Sequence, residues 1–263
     1  MRKLLRAYNA LIFIFLYAPI VVLIVYSFNA SSSRVQFTGL SLRWYAQLFQ
    51  NSEIGGALFV TLSVAFIATA VSTVIGTAAA VGISNMNRRL RGVFMGVNNI
   101  PVVNPEIVTG ISLMLLFAFV FKATGLLQMG YLTLTLSHIT FCIPFVILQV
   151  LPKIRQMNKH LFEAALDLGC RPLGAFFKVM LPQILPGVIT GALTAFTLSL
   201  DDFVISLFTS GATAQNLSVT IWTMLKRRVT PDINALFTLI FFAVLTLLLL
   251  INVLQIRYDK THK

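Results

Sequence analysis

Acidic residues are scarce in this sequence. Eight Asp and Glu stand against 20 Lys and Arg in 263 residues, and charged residues make up only 11% of the chain. An ordinary soluble domain carries about 25%, so the polar cover that water demands is missing. A soluble enzyme, a coiled coil and a disordered chain are all excluded on that count. Cysteine is nearly absent too: Cys142 lies in an apolar run and Cys170 in a loop beyond it, so no disulfide is expected. The three histidines, His138, His160 and His262, fall on separate segments and share no metal-ligand spacing with the cysteines. The sequence holds no G-x-x-x-x-G-K-[ST] phosphate loop, no H-E-x-x-H and no G-x-S-x-G, which leaves it without the motifs for binding ATP in that manner or for hydrolysis. A net charge of +12 suggests a nucleic-acid partner. Such a binder displays its basic residues on a soluble fold, and this composition cannot build one.

What the chain has in abundance is apolar length. Hydrophobic residues make up 57% and the mean hydropathy is +0.88. A helix crossing a bilayer needs roughly 20 apolar residues, because the hydrocarbon core is about 30 Å thick. Six runs qualify, at residues 11–28, 55–84, 105–121, 131–151, 186–208 and 233–253. The second is long enough to tilt or protrude. The third is short, and the apolar stretch 93–103 before it either extends it or lies at the interface. With the N-terminus inside, fourteen basic residues fall on the cytoplasmic side and six (Arg34, Arg43, Lys122, Lys226, Arg227, Arg228) on the other. That bias selects six spans with both termini in the cytoplasm, although the cluster at 226–228 runs against it. Arg2, Lys3 and Arg6 before an apolar run also fit a secretory leader. Removing it would reverse the second span, so the segment is taken as a retained anchor. The fold expected is therefore an all-α polytopic membrane protein with residues 1–263 as a single domain.

The longest cytoplasmic segment, 152–185, reads as two short helices. Asn158 suits an N-cap, and Leu161, Phe162, Ala165, Leu166 and Leu168 give a helical apolar pattern. Gly169 can take the left-handed conformation that ends a helix, and Pro172 suits the first turn of the next. Pro182 and Pro186 are expected to stop that second helix before the fifth span. In span five, Thr190, Thr194, Thr197 and Asp201 recur at helical intervals, a polar stripe ending in a carboxylate. Ser199, Asp202 and Ser206 form a second stripe about 100° round. Carboxylates within a membrane cost about 2.5–3.5 kcal/mol each at mid-helix and need a reason. The candidates are Asp201, Asp202 and Glu106, the last at the start of span three. They could line a path for a cationic cargo; either aspartate could equally pair with a partner's basic residue or cap a broken helix. Phe196, Phe203, Tyr131, Trp44 and Trp222 are available to face a cation, while most of the 22 Phe must meet lipid or packing neighbours. In the second span, Ser72, Gly76 and Ala80 recur every four residues, the pattern that lets helices approach closely in lipid.

Within the cytoplasmic segment, Glu163-Ala164-Ala165, Gly169 and Val179-Met180-Leu181-Pro182 follow the pattern E-A-A-x3-G-x9-I-x-L-P, with Val179 in the isoleucine place. This is similar to the EAA motif of permease subunits of binding-protein-dependent ABC importers. The rest of the chain resembles the spermidine/putrescine branch of that family. The likeness runs through Tyr17-Ala18-Pro19-Ile20, Ser27-Phe28-Asn29, Trp44-Tyr45, Pro105-Glu106-Ile107-Val108, 137–145, 197–202 and 231–236. The resemblance implies a coupling helix that docks Glu163, Ala164, Ala165, Gly169, Leu181 and Pro182 onto a separate cytoplasmic ATPase. It further implies two ATPase copies, a second permease subunit (a paralogue), an extracytoplasmic binding protein and a polyamine cargo, all at the inner membrane of a bacterium. No cofactor is expected on this chain, because ATP and Mg belong to the ATPase; no metal site and no nucleic-acid partner are expected either. Asp201, Asp202, Glu106, Thr197 and Thr194 are the expected path residues. Iron, an aminophosphonate or another organic cation is the alternative cargo within the class; an ion-gradient transporter is the alternative outside it.

Overall fold

A computed structural model describes residues 2–31, 36–227, 233–242 and 245–246. Its elements are helical: α1 (Arg2–Ser27), α2 (Arg43–Gln50), α3 (Ser52–Ser84), α4 (Arg88–Val103), α5 (Glu106–Thr124), α6 (Tyr131–Gln156), α7 (Lys159–Asp167), α8 (Pro172–Ala175), a π-helical turn (Phe176–Met180), α9 (Leu181–Asp201), α10 (Val204–Thr209) and α11 (Leu217–Arg227). Among the described residues, five helical stretches are long and apolar enough to cross a bilayer: Tyr8–Ser27, Ser52–Ser84, Glu106–Thr124, Tyr131–Gln156 and Pro172–Asp201. The sixth expected span, 233–253, lies mostly outside the described residues; its first part is the apolar helix Ile233–Phe242. Contacts divide the chain into two compact units, one of residues 1–55 with 221–263 and one of residues 56–220.

In the first unit, α1 is followed by a small clasp. Asn29 pairs with Leu40 in an antiparallel bridge. The Asn29 amide donates to the Gln36 carbonyl (2.8 Å) and its oxygen accepts from the Thr38 N–H (3.0 Å). Trp44 Nε1 donates to the Asn29 carbonyl at 2.6 Å, and the Ser27 and Tyr45 hydroxyls meet at 2.7 Å. Ser27-Phe28-Asn29 and Trp44-Tyr45, separated in sequence, are therefore one hydrogen-bonded structure that fastens α2 to the end of α1.

In the second unit, α6 is the central post. Its buried residues Phe141, Cys142, Val146, Ile147, Val150, Leu151 and Ile154 join Ala80 and Ile83 of α3, Ile184 and Ala195 of α9, and Ile205 of α10 in one apolar core. Glycines set the helix spacing. A Cβ on Gly76 would lie 2.7 Å from Val146 Cβ and Cγ1, and one on Gly187 would lie 3.0 Å from the Gln149 carbonyl. Small residues thus admit both α3 and α9 close to α6; the Ser72, Gly76, Ala80 row was expected to pack on the fifth span or a partner subunit, and Gly76 instead meets Val146 of the fourth.

Of the two readings of 93–103, extension of span three fails: Pro105 keeps Asn104 extended (ψ 141°) and separates α4 from α5. Arg91 of α4 turns back onto the end of α3, donating to the carbonyls of Ile83 (3.2 Å), Ser84 (2.7 Å) and Met86 (3.0 Å). Nor do Pro182 and Pro186 stop a helix, because the helical run continues from Pro172 to Asp201. The π-helical turn stands just ahead of Pro182, with the Leu181 N–H bonded five residues back to Phe176. This wider turn takes up the clash a proline ring would make in an α-helix. Span five, expected at 186–208, instead begins at Pro172 and breaks at Asp202, which is extended (ψ 126°). The helix resumes as α10.

Candidate functional site: a broken helix and an EAA-like segment

The EAA-like motif folds as its residue types require. Asn158 caps α7 by accepting from the His160 N–H at 3.1 Å. Gly169 ends it at φ +85°, with the Cys170 N–H bonded to the Ala165 carbonyl (3.1 Å) and the Gly169 N–H to that of Leu166 (2.9 Å). That pairing is the Schellman closure. Pro172 then opens α8. The residues of the motif part company on α7. Ala165 is buried while Glu163, Ala164 and Gly169 are exposed, since neighbours on a helix point about 100° apart. Only Ala164 of the two alanines offers a small outward face. The Glu163 carboxylate meets His160 Nδ1 at 3.3 Å and is otherwise open. Leu181 is half-buried beside the core and Pro182 is exposed. Beneath α7 lies a cleft of about 550 Å³ whose walls include Arg91, Arg155, Phe162, Glu163 and Phe176.

The two adjacent aspartates of span five have opposite fates. Asp201, the last residue of α9, is exposed and makes no hydrogen bond or ion pair among the described residues. Asp202 is buried, and its carboxylate caps α10: Oδ1 accepts from the Ile205 N–H (3.3 Å), and Oδ2 from the Ser206 N–H (2.8 Å) and hydroxyl (2.7 Å). His138 of α6 brings Nε2 to 3.5 Å from Asp202 Oδ2. The same nitrogen lies 2.9 Å from Ser206 Oγ, and Nδ1 lies 2.7 Å from Ser199 Oγ. Asn216 completes the cluster, donating through Nδ2 to the Asp202 carbonyl (2.9 Å) and to Ser206 Oγ (2.8 Å). The Ser199, Asp202, Ser206 stripe is thus an internal network, and Asp202 fills the helix-capping role open to it in the sequence.

The other expected path residues are dispersed. Thr194 is half-buried and Thr197 exposed, and each hydroxyl donates to the carbonyl four residues back (2.9 Å in both). Glu106 is exposed in the first turn of α5, where a helix dipole favours an acid. Among the aromatics, Phe196 packs on Phe66 at 5.2 Å between centroids, and Lys226 Nζ lies 4.9 Å over the Trp222 ring. In the sequence, His138 stands only among the histidines weighed as metal ligands and within the 137–145 likeness, and Asn216 carries no signal. The signal for His138 was the cost of an ionisable side chain inside an apolar run. A further polar feature stands on α3: the buried hydroxyl oxygens of Thr69, Thr73 and Thr77, four residues apart, find no partner among the described residues. Among those residues no cluster of His, Cys, Asp and Glu could hold a metal ion.

Comparison with known proteins places this architecture. Residues 72–261 match the family described as "Binding-protein-dependent transport system inner membrane component". The chain is 41% identical over 234 residues to the putrescine transport system permease protein PotI of Escherichia coli K12, covering 88% of this chain and 83% of that one. It is 35% identical over 260 residues to the spermidine/putrescine permease protein PotC of the same organism, covering 98% and 96%. The PotC protein of Haemophilus influenzae is 34% identical over 93% of both chains. In fold, the chain resembles a chain of a bacterial ABC transporter that imports alginate, with a TM-score of 0.74 at 15% identity over 97% of this chain and 96% of that one. It also resembles one of the methionine transporter MetNI, with a TM-score of 0.59 at 18% identity over 84% and 97%. A helical chain with several bilayer-length apolar helices, an EAA-like motif and this match over most of its length belongs to the inner-membrane permeases of the binding-protein-dependent transport family.

Proposed function

We propose that the chain is one permease half of an ABC importer for polyamines such as putrescine and spermidine. Six spans with both termini in the cytoplasm form one domain, residues 1–263. A second permease subunit, a paralogue, closes the path, and an extracytoplasmic binding protein delivers the cargo. Two copies of a cytoplasmic subunit bind ATP and Mg and do the hydrolysis; this chain performs none. Glu163, Ala164 and Gly169 present the coupling helix to that subunit, while Ala165, Leu181 and Pro182 join it to the core and to α9. ATP-driven closure of the two ATPases moves α7, and the path opens to one side and then the other. Cargo affinity must differ between those states for net transport to occur.

The observation that carries the cargo assignment is Asp201. It is an exposed acid with no partner among the described residues, at the C-terminal end of a membrane-length helix. The negative end of the helix dipole already stands there, worth about half a charge. A carboxylate at that place is unfavourable unless a cation comes to it. Thr197 and Thr194 continue the polar face along α9, and Glu106 supplies a further acid on α5. The test is uptake of labelled putrescine and spermidine by cells carrying the complete complex. Asp201→Asn should lower uptake sharply, to a residual level still measurable, and keep the ATPase associated, whereas Glu163→Lys should lose both. Normal uptake by Asp201→Asn would remove the acidic path from the proposal.

A further inference from the structure

The break in span five is held open by a network that reaches across the unit, and its hydrogen-bond inventory can be closed. Ser206 Oγ has three polar neighbours: Asp202 Oδ2 at 2.7 Å, Asn216 Nδ2 at 2.8 Å and His138 Nε2 at 2.9 Å. A hydroxyl has one proton to give and two lone pairs to offer. The carboxylate of Asp202 can only accept, so the Ser206 proton goes there. Both lone pairs are then left for donors, and Asn216 Nδ2 and His138 Nε2 must fill them. His138 therefore carries its hydrogen on Nε2, aimed at Ser206 Oγ with Asp202 Oδ2 at 3.5 Å. Its other nitrogen, Nδ1, is tied to Ser199 Oγ on α9. His138, Ser199 and Ser206 are each at most 2% exposed, so no water substitutes for a missing member.

This network fastens both sides of the break. Ser199 belongs to the last turn of α9, Ser206 to the first turns of α10, and His138 on α6 bridges them. Asp202 is held by its side chain, which caps α10, and by its carbonyl, which accepts from Asn216. Asp201 is covalently attached to that clamped residue, and its own carboxylate has no partner among the described residues. The last turn of α9 also presents carbonyls that lack intrahelical donors. A broken-helix end inside a membrane protein, with its negative dipole end and unpaired carbonyls, is a cation-binding arrangement.

We infer that His138, together with Ser206, is a positioning residue for cargo: it holds the break at Asp202 so that Asp201 and the carbonyl end of α9 meet an ammonium group of the substrate. The inference rests on the proposal that Asp201 lines the path. His138 touches no cargo itself and acts through Asp202 and Ser206.

The test is transport and ATP hydrolysis by the complete complex in proteoliposomes, with the binding protein and labelled putrescine. His138→Phe should lower uptake by roughly ten- to a hundredfold, the scale on which misplacement of a binding group acts, while cargo-independent ATP hydrolysis persists. His138→Gln, which can still donate toward Ser206, should recover most of the uptake. Ser206→Ala keeps the backbone cap and deletes only the hub hydroxyl; it should fall between the two, and it serves if His138→Phe does not assemble. The decisive arm repeats His138→Phe in an Asp201→Asn background, where no further loss is expected. Independent, multiplying losses would overturn positioning through Asp201. So would wild-type uptake in Ser206→Ala, or a His138→Gln variant as poor as His138→Phe. If Asp201→Asn alone transports normally while His138→Phe does not, the path proposal fails, and the network acts on something other than Asp201.

Discussion

Gly76 offers a measurement in which one added methyl group reads the packing of the unit. A Cβ at this position would stand 2.7 Å from both Cβ and Cγ1 of Val146 and 3.3 Å from the Ile143 carbonyl. Carbon atoms rest at about 3.5–4.0 Å, so Gly76→Ala requires α3 and α6 to part locally by about 0.8 Å. A rotamer change at Val146 cannot relieve this, because its Cβ is fixed to the α6 backbone. Overpacking of this kind costs about 1–3 kcal/mol, and 2 kcal/mol is roughly a thirtyfold change in the unfolding equilibrium. The control lies on the same helix. A Cβ on Gly82 would meet nothing within 4 Å, so Gly82→Ala should be neutral or should stabilise by about 0.5–1 kcal/mol through helix propensity alone. Gly191 is intermediate, with Val146 Cγ1 at 3.3 Å, and Gly191→Ala should cost less than Gly76→Ala. The assay is equilibrium unfolding of the purified chain in detergent micelles, followed by helical circular dichroism. In a Val146→Gly background the cost of Gly76→Ala should vanish; in Val146→Ala, which keeps Cβ, part of it should remain. Equal shifts of the same sign for Gly76→Ala and Gly82→Ala would refute the reasoning.

Threonine hydroxyls give a second test of opposite signs. Thr61 Oγ1 donates to the Ala57 carbonyl and accepts from the Leu217 N–H, both at 2.8 Å, so Thr61→Val should destabilise by about 1–3 kcal/mol by orphaning a buried N–H. Thr77→Val removes a buried hydroxyl oxygen that has no partner among the described residues; it should be neutral or mildly stabilising in the same unfolding assay. Arg91→Ala should cost about 1–2 kcal/mol by freeing three carbonyls at the end of α3, discounted for partial exposure. Arg91→Lys should recover little, since an ammonium lacks the guanidinium fork. Gly169→Ala meets no steric obstacle but must adopt φ +85°, a strain of about 1–2 kcal/mol. Because α7 packs only lightly, the strain should tilt it and reduce co-purification of the ATPase subunit, with Gly169→Asn milder.

Much of the fold was legible because its causes are local. A bilayer-length apolar run has few alternatives in structure, and α1, α3, α5 and α6 stand where those runs lie. The turn from α7 to α8 was legible for a similar reason: Asn158, Gly169 and Pro172 act on their own backbone within a few residues. The prolines of α9 misled because a proline's effect depends on the turn before it. The π-helical turn at Phe176–Met180 leaves no hydropathy signature, yet it lets Pro182 sit inside a continuous helix. The end of α9 was hidden for the opposite reason. The Asp201–Asp202 pair is set in a largely apolar run on both sides, so a hydropathy window passes over a two-residue break.

The site was legible in its residue types and illegible in their division of labour. Asp201 and Asp202 are adjacent and chemically identical, and either fits a cation path or a helix cap. What separates them is a set of contacts from 61 to 68 residues away, through which His138 reaches Ser199 and Ser206. No local pattern announces such contacts. They nevertheless decide the electrostatics. The buried carboxylate is surrounded by donors and needs no external cation, while its neighbour, left at the negative end of α9, has no donor of its own. In the proposed reading a buried acid and an exposed one form a single device, in which the first sets the backbone and the second binds. The same logic explains why the histidine belongs inside the membrane. A bilayer interior tolerates an ionisable side chain only when its partners are built in, and His138 has both of its nitrogens engaged.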